Sequence, residues 1–167
     1  MADGYICKSC GEFHAGLPLS YGADAPVYWS SIPIQEREQR GELSTDQCVI
    51  DDEYFFVLGR LELPVIGTPE LFSWLVWVSL GEENFARMHE LWNTEGRESE
   101  PPYFGWLSTS LPCYPDTLSL KTHVHTRPIG MRPFIELEAT DHPLAVEQRT
   151  GITMQRVQEI AECVLHS

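Results

Sequence analysis

Hydrophobic and polar positions alternate between residues 54 and 63. Phe55, Val57, Leu61 and Leu63 fall on one side of an extended chain, Phe56, Leu58, Arg60 and Glu62 on the other, and Pro64 closes the run. A period of two in aromatic and aliphatic residues predicts a strand. Residues 74–80 (WLVWVSL) are apolar on both sides. They predict a strand near the centre of a sheet, covered on both faces. After Gly81 the period changes: Phe85, Met88 and Trp92 fall at i, i+3 and i+7. That stripe predicts a helix over 82–92, and Glu82 and Glu83 open it where the helix dipole favours acids.

Further along, extended patterns recur over 103–111, 118–127 and 133–138, followed by a helical turn over 144–148. A last helix over 154–165 has Thr153 as N-cap and Val157, Ile160, Ala161 and Val164 on its inward side. The charged stretch 36–42 reads as a short solvated helix after Pro33, and residues 1–24 as a cysteine knuckle followed by loop. Strands, one helix, more strands and a terminal helix predict an α+β fold: a mostly antiparallel sheet of about five to six strands backed by two helices. A doubly wound parallel sheet would need more crossover helices. No repeat or linker divides the chain, so a single domain over 1–167 is expected.

Charge narrows the partners. Eleven Lys and Arg against 25 Asp and Glu give a formal net charge of −14 across 167 residues. Such acidity argues against binding nucleic-acid backbones or an anionic membrane surface. It suits a basic protein partner. The start lacks a basic n-region and an apolar h-region, so no signal peptide is expected. The apolar run 71–80 is far short of the ~20 residues that a spanning helix needs. Five cysteines, an odd count without a secretory leader, predict reduced thiols or metal ligands rather than disulfides, and a cytoplasmic location.

The sharpest chemical signal is Cys7-Lys8-Ser9-Cys10-Gly11. Two thiolates at C-x2-C spacing sit on one turn and can reach a single tetrahedral ion, and Gly11 permits the positive φ that turns backbone N–H groups toward the sulfurs. His14 could be a third ligand, leaving a distant fourth among Cys48, Cys113 and His142. A structural zinc on Cys7, Cys10, His14 and Cys48 is the expectation. Two reduced surface thiols, or a redox dithiol, are the alternatives.

His123 and His125 leave the same face of a strand, and Lys121 and Arg127 project from that face too. Two fixed cations oppose a divalent ion. The row Lys121, His123, His125, Arg127 therefore suits a carboxylate-bearing strand, for instance Glu136 and Glu138, or a bound anion. The catalytic alternative joins His123, His125 and His142 around a metal with an open water position, as in a metal-dependent hydrolase. His89 reads as a boundary histidine of the core and His166 as part of the tail. Asp46, Asp51, Asp52 and Glu53 read as a solvated turn, since they lack the glycine and final glutamate of a calcium loop. No nucleophile elbow, P-loop or dinucleotide fingerprint occurs. The aromatic stretch 101–115 either presents a binding loop or folds its rings under.

The segments CKSCGEFH (7–14), DQCVIDDEYFF (46–56), WVSLGEENF (77–85), PPYFGWLS (101–108), LKTHVHTRP (120–128) and DHPLAVEQRTGIT (141–153) resemble a bacterial family of conserved uncharacterised proteins, the domain-of-unknown-function family 2199. The resemblance spans nearly the whole chain. It implies one full-length domain and a bacterial source, and carries over no catalytic residue. Charge, the lack of a catalytic motif and the aromatic loop favour a non-enzymatic acidic binding module with a structural zinc. Its expected role is to engage a basic protein, as inhibitor or immunity proteins do.

Overall fold

The structure is a computed structural model that describes residues 4–6 and 11–166. Strands β1 (Gly4–Ile6) and β2 (Phe13–Ala15) form an antiparallel hairpin, followed by β3 (Ser20–Gly22). Helices α1 (Val27–Ser30) and α2 (Arg37–Arg40) lead to β4 (Gly41–Leu43) and β5 (Gln47–Ile50). Then come β6 (Tyr54–Pro64), β7 (Leu71–Leu80) and α3 (Glu82–Glu90). Strands β8 (Tyr103–Leu107), β9 (Lys121–His125) and β10 (Phe134–Leu137) precede α4 (Pro143–Thr150) and α5 (Met154–Leu165).

The two long runs of the sequence pair with each other, from Phe55 opposite Leu80 to Pro64 opposite Leu71. From β7 the chain meanders antiparallel through β8, β9 and β10, and β10 returns to β6. A meander with an odd number of strands must close with a parallel pair. Here Phe134 lies beside Arg60 in parallel, and the Arg60 N–H donates to the Pro133 carbonyl (2.8 Å). Five strands thus form a closed barrel. On the edge of β6 that β10 leaves free, β5 and then β4 extend the sheet. β3 runs parallel to β7 beyond the end of β8.

The odd positions of β6 and the even positions of β7 point into the barrel, where Val57, Leu61, Val76, Val78, Val124 and Ile135 are buried. The opposite faces carry a second core of Ile32, Cys48, Ile50, Phe56, Leu58 and Trp77. Apolar character on both sides of 74–80 therefore reflects two cores, as expected for a centrally placed strand. Trp77 is fixed from two directions: its indole N–H donates to the Ala23 carbonyl (2.9 Å), and its backbone N–H to Thr109 Oγ1 (2.8 Å).

Helices α4 and α5 close the barrel with Leu144, Val157 and Ile160, and Thr153 caps α5 by accepting from the Arg156 N–H (3.1 Å). A polar chain fastens them. The Trp74 indole donates to the Tyr114 hydroxyl (3.2 Å), which donates to Glu147 Oε1 (2.6 Å), while Arg156 Nε donates to Glu147 Oε2 (2.8 Å). Burial first, then the Glu147 carboxylate that accepts its proton, holds the Tyr114 hydroxyl in its neutral form well above the usual range.

The architecture is α+β with a mostly sheet core, as expected. The sheet, however, has eight strands rather than five or six, and it closes on itself. β3, β4 and β5 are three or four residues long, too short for a period of two to stand out. The predicted turn over 144–148 is a complete helix, and α3 ends at Glu90. The 36–42 stretch splits into α2 and the start of β4. His89 is exposed and does not border the core. The expectation against disulfides is also corrected: Cys113 and Cys163 are joined, their Cα atoms 6.0 Å apart across 50 residues of sequence. Docking of α5 beside the loop after β8 brings the two together, a proximity that no local spacing encodes. Among the described residues no helix is long and apolar enough to cross a membrane.

Candidate functional site

Alternation along β8 sends Tyr103, Gly105 and Leu107 inward and Phe104 and Trp106 outward. The neighbouring strand sets Lys121 opposite Trp106 and His123 opposite Phe104, and β10 sets Glu136 opposite His123. The outer barrel face is therefore a cross-strand ladder of aromatics, cations and carboxylates. Phe104 and Trp106 meet edge to face at 5.0 Å, and the Phe104 ring lies 6.2 Å from that of His123. His123 Nε2 lies 3.4 Å from Glu138 Oε2, and His125 Nε2 lies 3.0 Å from Glu136 Oε1. The carboxylate-bearing strand thus stands beside the histidine row, with Lys121 exposed at its end.

Arg127 leaves the row. Its guanidinium forms a fork with Glu62, at 3.1 and 2.7 Å, and lies over the Phe134 ring. His142 stands elsewhere, at the start of α4. Its Nδ1 accepts from the Leu144 N–H (3.1 Å), which leaves the ring proton on Nε2 to donate to the Asp116 carbonyl (3.0 Å). Both nitrogens are spent on a helix cap and a loop. The geometry gives no support to a metal held by His123, His125 and His142. Among the described residues, no group of three His, Cys, Asp or Glu side chains could hold a metal ion.

Cys7 and Cys10, which carry the proposed knuckle, and the side chain of His14 lie outside the described residues. Cys48 is a free thiol inside the second core, and burial pushes it up to about 12, which favours the neutral form over the thiolate that a metal needs.

Trp106 also borders a groove of about 730 Å³ that the sequence did not single out. Tyr28, Ile32, Tyr54 and Phe56 line it, with Tyr54 53% and Trp106 44% exposed. Ring stacking of Tyr28 on Phe56 (5.9 Å) ties α1 to the barrel wall. Of the acidic cluster, Asp51 lines the groove, together with Arg40. Asp51 and Asp52 adopt positive φ in the turn before β6, and Asp51 receives two hydrogen bonds from Arg40, at 3.0 and 2.9 Å. Those bonds hold the Asp51 carboxyl below the usual carboxylate range. Asp46 instead pairs with Arg132 (2.8 Å). Two features could have pointed to the groove: Tyr54 directly follows the acids, and Trp106 alternates with buried neighbours.

Fold and site define an α+β protein whose closed five-stranded barrel carries an aromatic groove edged by the Arg40–Asp51 pair. The chain belongs to a bacterial family, DUF2199, described as an uncharacterized protein conserved in bacteria, whose model matches residues 6–152. No curated protein and no solved structure matches the chain.

Proposed function

We propose that the protein is a non-enzymatic acidic binding module whose groove takes a basic segment of a protein partner, in an inhibitor or immunity-type role. The observation that carries this reading is the groove itself: exposed Tyr28, Tyr54 and Trp106 beside the acidic turn, in a chain of net charge −14. Aromatic faces attract a guanidinium or ammonium group, and a negative field accelerates the approach of a basic protein. Each exposed ring contributes on the order of 0.5–1 kcal/mol to holding a cation, so several are needed together.

The test is titration of the purified protein with a peptide of alternating arginine and glycine, followed by Trp fluorescence and calorimetry. Saturable one-to-one binding is expected, weakened by salt and lost in the Tyr54→Ala/Trp106→Ala double variant, while a glutamate–glycine peptide does not bind. Equal affinity in the double variant, or no binding at low salt, overturns the reading.

The Cys7-x2-Cys10 pair supports a structural zinc on ligand chemistry alone. Protein purified without added metal is expected to carry zinc at one ion per chain, lost in Cys7→Ser together with a lower melting temperature. Zinc retained in Cys7→Ser, or absent from the wild type, removes the site.

A further inference from the structure

Four of the nine arginines of this acidic chain, Arg60, Arg97, Arg127 and Arg132, line one cavity of about 520 Å³. It lies between the end of α3, the 126–133 connection and β6, away from the groove proposed above, and the two readings are independent. Two carboxylates compensate the four cations: Glu62 forks with Arg127 and lies 3.7 Å from Arg60, and Asp46 pairs with Arg132. Arg97 finds no carboxylate among the described residues. Its guanidinium donates to the main-chain carbonyls of Trp92, Arg127, Pro128 and Met131. Carbonyl dipoles satisfy its hydrogen bonds but bring no formal charge, so the cavity keeps a surplus of positive charge.

Two polar atoms of the same wall are buried without a hydrogen-bond partner, Arg60 Nε and Thr126 Oγ1. Buried donors are seldom left unmet, because each costs about 1–3 kcal/mol. Both are donors on residues that line the cavity. The rest of the wall includes Met88, Trp92, Ile129 and Met131, which offer apolar contact. The volume is that of a metabolite site.

We propose that this cavity binds a small organic oxyanion, a phosphate ester or carboxylate on an apolar body. The anion accepts hydrogen bonds from Arg60 Nε and the Thr126 hydroxyl, and the body lies against Trp92 and the methionines. Surplus cationic charge in a partly enclosed site strengthens the attraction despite the negative protein around it.

Calorimetry with phenyl phosphate, benzoate, inorganic phosphate and phenol tests this on the full chain. At least one of the two organic anions is expected to bind one-to-one, about tenfold or more tighter than inorganic phosphate or phenol. Arg60→Gln is expected to weaken it about tenfold, as loss of a charged hydrogen bond does. Thr126→Val separates binding from folding: it removes an unmet hydroxyl at constant shape, so affinity falls while the melting temperature of the ligand-free protein holds or rises. Absence of binding by both organic anions, inorganic phosphate binding as tightly as phenyl phosphate, or unchanged affinity in both variants overturns the proposal.

Discussion

Gly59→Val is expected to lower the stability of the protein by about 3 kcal/mol, the upper range for overpacking a filled core. Gly59 has no positive φ, so a side chain is excluded there by space rather than by backbone conformation. A Cβ at Gly59 would overlap the buried Ile135 side chain and come within 3.0 Å of the Pro133 carbonyl. That carbonyl accepts the Arg60 N–H, the bond at which β10 meets β6. Pushing it outward therefore strains the closing seam of the barrel as well as the packing inside. Gly59→Ala should cost less, about 1–2 kcal/mol. Shortening the opposing residue should return part of it: in a double-mutant cycle, Gly59→Ala with Ile135→Val is expected to be less destabilised than the sum of the single changes, with coupling of about 0.5 kcal/mol or more. Urea unfolding of the four proteins checks this. A neutral Gly59→Ala, or strict additivity, would mean that the seam is looser than its geometry implies.

Closure by Gly59 also marks where sequence patterns stop being informative. Alternation over 54–63 and apolar character on both sides of 74–80 revealed the two long strands, because each pattern runs for seven or more positions. Neither could reveal that β10 returns to β6, since that contact is one residue pair, Phe134 with Arg60, set by a glycine that leaves room. β5 was masked by composition: acids on both sides of Gln47–Ile50 made the stretch read as a turn, although Cys48 and Ile50 face a core. The histidine row was legible for the opposite reason. Same-face spacing of His123 and His125 and the carboxylates of 133–138 are both local, and adjacency of β9 and β10 was the one step needed to join them. Arg127 escaped because its partner, Glu62, lies 65 residues away on another strand. The cysteine pair 113 and 163 escaped likewise, and with it went the argument from reduced thiols to a cytoplasmic location.

Arg97→Met should also destabilise the protein by about 3 kcal/mol, an expectation built on hydrogen bonds to a charged group, each worth about 1.5–3 kcal/mol. Arg97 is 8% exposed, and its guanidinium reaches one carbonyl on its own side, Trp92 (2.8 Å), and three in the 126–133 connection, Arg127 (2.7 Å), Pro128 (3.0 Å) and Met131 (3.0 Å). Four acceptors in fixed directions match a planar fork of N–H groups. Methionine keeps much of the volume and lets the apolar stem pack, so the loss reports the guanidinium's hydrogen bonds together with its contact over the Trp92 ring (5.7 Å). Lysine keeps the charge but presents one compact ammonium, and Arg97→Lys is expected to recover less than half of the loss. Hydrogen exchange should report where the damage falls: amides of the 126–133 connection lose protection first, and those of β6 and β7 only with global unfolding. Stability of Arg97→Lys equal to wild type would show that charge alone holds the connection in place. Unchanged protection over 126–133 in Arg97→Met would show that the connection is held by its own turns, and the cavity wall would then owe its shape to Gly130 and the flanking prolines instead.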